Sequence, residues 1–371
     1  MGSRVTVTWR QVAAWRTRRH SLDVRRPAAE ALDVVSELCG LHAQLMSSAA
    51  ATLRARVDGL DEDAVEKALW TDRTLVKTWS MRGTLHLLPA DGYPLWQAAF
   101  ATYRHYLKPV WLRGFKITAE ELSALVEAVG EVLEDRLLTR AELADAVAAR
   151  TSAHLGGKLR ESWGAYLKPA SFQGRLVFGP GEGQYVRFTS PRTWLGLDGA
   201  DVPADPVGEV ALRWLARQGP ATREDFARWW GVSPAEGGRV LKALGDRVEP
   251  VDVEGESCWA RAQDVAGLRE AEPVRTVRLL PAFDQYVVAA TRHAHHFLDG
   301  GTPDRVYRPQ GWLSPVVMVD GMMAGVWSRE RKGAKVCVTV EPFRSLSAGA
   351  RKAVLDEVRR VAGAAEVHWA G

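Results

Sequence analysis

Three stretches of this chain repeat one short pattern, and that repetition constrains the fold more than any bulk property. Thr8-Trp9-Arg10-Gln11-Val12-Ala13, Thr139-Arg140-Ala141-Glu142-Leu143-Ala144 and Thr222-Arg223-Glu224-Asp225-Phe226-Ala227 share a layout. Each places Thr three residues before Gln, Glu or Asp, then an apolar residue, then Ala. The spacing is that of a helix start. The Thr hydroxyl accepts from a free backbone N–H in the first turn, and the side chain three residues on reaches back to the Thr amide. Thr118-Ala119-Glu120-Glu121 is a further box of this kind, without the following Ala. One match carries little weight, but three inside helix-rich segments predict a repeated module.

The surroundings suggest its shape. After Pro220, a helix over 222–230 is followed by the turn Gly231-Val232-Ser233-Pro234 and a helix over about 234–244. A β segment with a turn at Glu254-Gly255 comes next. Helix, tight turn, helix and hairpin outline a winged helix-turn-helix. The first segment predicts helices at about 9–18 and 28–38, β structure over 50–57 and a helix over 61–70. A hairpin follows, turning at Met81-Arg82-Gly83. The middle segment predicts helices over 119–135 and 140–150, then a hairpin with a glycine-rich tip at 179–183. Beyond about 270, strands are expected at 274–280, 286–290, 316–319, 323–327, 336–340 and 367–369, with a helix over 346–361. This reads as a small barrel or sheet domain.

Composition narrows the partners. The 371 residues exceed what one core organises, and no apolar run is long enough for a membrane span. The start of the chain lacks the apolar core of a signal peptide, so a cytoplasmic location and no membrane partner are expected. The net charge of +4 is mild, but it is unevenly spread. Arginines 10, 16, 18, 19, 25 and 26 face a single acid, Asp23, and the stretch Tyr103–Lys116 mixes cations with aromatics and has no acid. Such patches suit phosphates and bases. Cys39, Cys258 and Cys337 are scattered and read as core residues. His293, His295 and His296 have no Glu or Cys beside them, so neither a metal nor a cofactor is expected. Phosphate loops and the GxSxG elbow are absent.

Four further segments carry a resemblance. Leu38-Cys39-Gly40-Leu41-His42-Ala43-Gln44, Met81-Arg82-Gly83-Thr84-Leu85-His86-Leu87, Tyr166-Leu167-Lys168-Pro169-Ala170-Ser171-Phe172-Gln173-Gly174 and Leu279-Leu280-Pro281-Ala282-Phe283-Asp284 occur in this order, followed by Val319-Asp320-Gly321 and Gly325-Val326-Trp327. In that order the chain resembles the tandem winged-helix DNA glycosylases of the AlkZ and YcaQ type. The resemblance implies an α+β fold with three winged helix-turn-helix units, at 1–115, 116–200 and 201–268, and a β-barrel-like domain at 269–371. It also implies hydrolysis of the N-glycosidic bond of alkylated purines in double-stranded DNA, interstrand crosslinks included, in some members as self-resistance. The family's catalytic motif is Gln-x-Gln or Gln-x-Asp. The matching positions here are His42 and Gln44, so the first residue departs from the common Gln.

The chemistry is compatible with that pair. A purine alkylated at N7 or N3 is already cationic and leaves neutral, so no strong acid is required. A neutral amide such as Gln44 can fix the attacking water. His42 can do the same or take its proton, since an imidazole titrates near 6.5. In an extended segment residues 42 and 44 face one side; in a helix they diverge. Without the family, the two are a polar cap at a helix end. Ser47 and Ser48 suit either a phosphate or the end of the turn. Arg82 suits a groove or solvent, and Lys168 likewise. Lys77, Arg16, Arg18 and Arg19 complete the expected DNA contacts. Asp284 is expected to organise its surroundings, and no lysine near His42 supports a Schiff base. A winged-helix regulator without catalysis is the alternative. No coiled coil or dimer helix is apparent, so a monomer is expected.

Overall fold

Every one of the repeated Thr motifs caps a helix. Thr8 Oγ1 accepts from the Gln11 amide at 3.2 Å, while Gln11 Oε1 accepts from the Thr8 amide at 2.9 Å. Thr118 with Glu121, Thr139 with Glu142 and Thr222 with Asp225 form the same reciprocal pair. Ser233 with Glu236 adds another, opening the helix Pro234–Ala243. These bonds satisfy amides that have no partner within the helix.

The computed structural model describes residues 5–162, 164–196, 202–333 and 335–370. The chain forms a mixed α+β structure of two compact units: Met1–Leu60 with Ala211–Gly371, and Asp61–Val210. The expected boundary at 200/201 lies outside the described residues. No helix among those residues is long and apolar enough to cross a membrane.

In the discontinuous unit, the strand Val5–Val7 pairs in parallel with Val248–Val253, Val5 opposite Val251. That pairing ties the first residues to a segment some 240 positions away in sequence. Val248–Val253 and Glu256–Arg261 form an antiparallel hairpin after the helices Arg223–Trp230 and Pro234–Ala243. Trp9 and Val12 of the helix Trp9–Arg19 pack with Val251, Tyr286, Phe297 and Met323 in one buried core.

The C-terminal strands form an open sheet in the order Val277–Leu280, Val316–Val319, Met322–Lys332, Lys335–Pro342, Glu366–Trp369. The expected barrel is not found: among the described residues the two outer strands do not pair with each other. The reason is the 15-residue helix Ala348–Ala362. Its Val354 and Val358 pack with Leu279, Val317, Val338 and Val340, so the sheet buries its apolar face against a helix. Two local expectations also change. Residues 286–290 form the helix Gln285–Ala289, capped by Asp284, although Val287 and Val288 favour strand. The expected β structure over 50–57 is the Ala-rich helix Met46–Arg54, followed only by the two-residue strand Val57–Asp58.

In the second unit, Leu75–Trp79 and Leu85–Pro89 pair as a hairpin, with Trp79 opposite Leu85. Its turn, Met81–Gly83, holds Arg82 at φ 58°. Tyr185–Thr189 lies between Leu138–Thr139 and Val177–Glu182 in a small sheet. The helices Arg140–Arg150 and Ala153–Glu161 meet closely at Gly156, where a Cβ would fall 2.7 Å from the Ala144 carbonyl oxygen. Phe172 is fully buried, its ring 5.1 Å from Tyr103 and 6.3 Å from Phe100.

Candidate active site

His42 ends the strand Leu41–His42. The chain reaches it from the helix Ala31–Glu37 through two left-handed residues, Cys39 at φ 60° and Gly40 at φ 90°. The Gly40 amide donates to the Val35 carbonyl at 2.9 Å, which closes the helix and redirects the backbone. Gln285 Nε2 donates to the Gly40 carbonyl at 2.6 Å, fixing the turn two residues before His42.

The His42 side chain is buried, and its ring stacks on Phe283 with centroids 4.8 Å apart and planes 10° apart. Phe283 itself sits at φ 61°, a region that bulky residues rarely occupy. Its neighbour Asp284 is fully buried, and both carboxylate oxygens accept from Arg56 guanidinium nitrogens at 2.7 Å. Arg56 also donates to the Thr52 carbonyl at 2.8 Å. Asp284 further accepts from the Tyr286 amide at 2.9 Å. Asp284 thus anchors the backbone that holds Phe283. Phe283 also meets Trp312, with ring centroids 5.3 Å apart, and Trp312 is 50% exposed. An aromatic file therefore leads from the buried imidazole to the surface.

Gln44 lies on the bend between that strand and the helix Met46–Arg54, and it is exposed. The short segment thus presents a buried imidazole and an accessible amide two residues apart. Ser47 is exposed, whereas Ser48 is turned inward and buried. A phosphate contact through the Ser48 hydroxyl is corrected accordingly: one helical step of about 100° separates it from the exposed Ser47.

The arginine-rich start requires a larger correction. Arg16 is buried, with Nη2 donating to the Pro220 carbonyl at 2.7 Å and its guanidinium over the Phe297 ring. Burial pulls its pKa down, with partial compensation from Asp225. Arg19 pairs with Asp264 and lies over Trp15. Arg25 pairs with Glu357 at 2.6 Å, and Arg26 pairs with Glu30. Four of the six arginines are therefore held within the protein. Arg10 is exposed, and Arg18 lies half-buried along a groove with Glu37 and Asp264. The local count of charges missed this because Asp264, Glu357 and the Pro220 carbonyl come from far along the chain, while Glu30 lies just beyond the arginine-rich stretch.

In the second unit, Lys77 is half-buried with Nζ 5.5 Å from the Phe178 ring centre, and burial lowers its pKa. Arg82 is exposed on the hairpin turn. Lys168, on the helix Leu167–Phe172, lies against that turn: a Cβ on Gly83 would fall 3.3 Å from Lys168 Cδ. Two cations expected separately thus share one site. His86 is buried.

His293 gains acidic neighbours through the fold. Its Nε2 lies 2.9 Å from Asp225 and its Nδ1 3.2 Å from Glu256. Burial alone would push the Asp225 carboxyl up, but His293 and the Thr222 amide and hydroxyl hold it well below the usual range. Among the described residues, one set of three ligand types converges, Cys337, Glu366 and His368, with atoms within 4.8 Å of one another on adjacent strands. Phe283 and Asp284 belong to a segment singled out by resemblance, but nothing local in the sequence pointed to Arg56 and Trp312 as their partners, or to Gln285 as the donor to Gly40.

Comparison with known proteins agrees over nearly the full length. Residues 35–364 match the family described as DNA glycosylase AlkZ-like. An interstrand DNA cross-link repair glycosylase of Streptomyces sahachiroi is 35% identical over 368 residues, covering 97% of each chain. The solved structure of the Streptomyces sahachiroi DNA glycosylase AlkZ superposes with a TM-score of 0.89 at 33% identity, covering 99% of this chain and 100% of that one. The chain belongs to the AlkZ-like family of DNA glycosylases.

Proposed function

We propose that this glycosylase hydrolyses the N-glycosidic bond of bulky N7-alkylguanine or N3-alkyladenine adducts, crosslinked purines included, with His42 and Gln44 as the catalytic pair. The observation that carries the reading is the pair's setting. A buried imidazole held flat by Phe283 stands two residues from an exposed amide, at the family's motif positions. Water oxygen bonds to C1′ of the sugar, the C1′–N bond breaks, and its electron pair neutralises the cationic purine. Gln44 accepts a hydrogen bond from the water, and His42 takes its proton as oxocarbenium charge develops. No metal or cofactor enters these steps. The relative's role in crosslink repair supports the larger lesions. Self-resistance to a DNA-alkylating natural product, action as a monomer and a cytoplasmic location complete the proposal. The four modules bounded at 115/116, 200/201 and 268/269, three of them winged helices, remain its reading of the sequence. Membership in an enzyme family disfavours a purely regulatory role.

Single-turnover base release from N7-alkylguanine duplex, with binding measured alongside, tests the pair. His42→Ala and Gln44→Ala should each slow release by about 100-fold or more while affinity changes little. Wild-type rates in both variants would sink the assignment. Equal losses of binding and release would make the pair part of the docking surface.

A further inference from the structure

The second unit contains a cavity of about 110 Å³ that the glycosylase chemistry above does not use. Arg82 and Gly83 of the hairpin turn form one side, and Lys168 of the helix Leu167–Phe172 lies against them. His105, Tyr106, Trp111, Phe115 and Phe172 supply aromatic walls, and no acid is among the described residues that line the space. The aromatic walls are braced. Trp111 and Phe115 meet at 4.3 Å, and the Tyr166 hydroxyl donates to the Phe115 carbonyl at 2.7 Å. Lys158 Nζ donates to the Lys116 carbonyl at 2.6 Å. On the segment that supplies most of these walls, Arg104, Lys108, Arg113 and Lys116 are exposed, and Phe115 is 36% exposed.

We infer that this pocket takes a single unpaired nucleotide of DNA, its phosphate on Arg82 and Lys168 and its base on the Trp111–Phe115 face. Charge selects the polymer: two cations, with no carboxylate among the described lining residues, suit a phosphodiester. Flat aromatic walls suit an unstacked base, because every base offers a ring face. Size sets the limit: the space of about 110 Å³ is smaller than the about 150 Å³ that holds one benzene ring, so the phosphate enters while the base stacks at the mouth, where Phe115 is exposed, and a base pair does not fit. The close approach at Gly83 explains how the cations come together. Gly83 sits at φ 68°, and the missing Cβ leaves room for the Lys168 stem beside Arg82. Burial lowers the Lys168 pKa, consistent with an ammonium that gains from an anionic partner. The inference rests on the chain acting on DNA, but not on the identity of the catalytic pair.

The experiment measures binding of the full chain to three labelled duplexes of one length: fully paired, with one bulged adenosine, and with one bulged abasic nucleotide. Binding of the bulged adenosine should be about tenfold tighter than that of the paired duplex, and the abasic bulge should fall between them. Trp111→Ala should reduce the adenosine bulge to the abasic level, and Trp111→Phe should restore most of the difference. Lys168→Gln should weaken the bulged complexes and lower their salt slope by about one unit. Equal affinity for all three duplexes would overturn the inference. An abasic bulge bound as tightly as adenosine would leave only backbone recognition and overturn the base pocket. Base release from N7-methylguanine duplex by the same wild-type preparation separates the two proposals: release without bulge preference removes the pocket, and bulge preference without release removes the catalytic reading.

Discussion

Arg56 and Asp284, 228 residues apart in sequence, form a two-pronged ion pair with no exposure to solvent. Such a pair gives up the hydration of both charges, and good geometry only partly restores it. Breaking one side leaves a bare buried charge. Arg56→Met alone and Asp284→Leu alone should each destabilise the protein by about 3–5 kcal/mol in denaturant unfolding. The double variant should recover a large part of that, though not all, because Asp284 also accepts the Tyr286 amide. A double variant no better than the worse single one would contradict this account.

Phe283 connects that pair to the site. It is a positioning residue for His42, since its ring stacks on the imidazole and its own backbone adjoins Asp284. Phe283→Ala should slow base release between about 10- and 100-fold, the scale of a small misplacement of a reacting group. DNA affinity should stay within about twofold, so that the loss appears in release and not in binding. Phe283→Tyr should retain most of the activity. An unchanged rate of release would remove the role.

Arg16 separates structural from DNA-facing cations. Its replacement by Gln removes packing and leaves the Pro220 carbonyl without its donor, at a cost of about 1–3 kcal/mol. The melting temperature should fall while the salt slope for undamaged duplex stays constant. Arg82→Gln, at an exposed turn, should do the reverse and lower that slope by about one unit. A reduced slope in the Arg16 variant would return this residue to the DNA interface.

His20 makes the fold acid-sensitive. Burial pushes its imidazole well below the ordinary range, and Arg56, Arg217 and Arg16 add repulsion. The folded state keeps it neutral, whereas the unfolded chain protonates it near pH 6.5. Its contribution is therefore complete above about pH 6.5 and is lost progressively as pH falls from there toward the folded-state value. His20→Gln should show a smaller decline in melting temperature between pH 7 and pH 5 than the wild type. Parallel declines would place the acid sensitivity elsewhere.

Short-range chemistry was legible in the residues themselves. A Thr with its partner three positions on carries its own helix start, and all four such boxes close as reciprocal caps. The hairpin turning at Met81–Gly83 and the helix pair after Pro220 are likewise local events. The ordered motifs were enough to indicate the family. Partners far apart in sequence were decided only by the tertiary structure. Arg16, Arg19 and Arg25 read as a free basic patch until the fold set Pro220, Asp264 and Glu357 against them. The stretch 286–290 reads as strand, yet Asp284, held by Arg56, caps it as a helix. Five strands could close or stay open, and the helix Ala348–Ala362 covering one face left them open. His42 was visible as a motif residue, but its aromatic support from Phe283 and Trp312 was not. Caps and turns depend on neighbours three or four residues away, whereas burial, ion pairing and ring stacking depend on which distant segments meet.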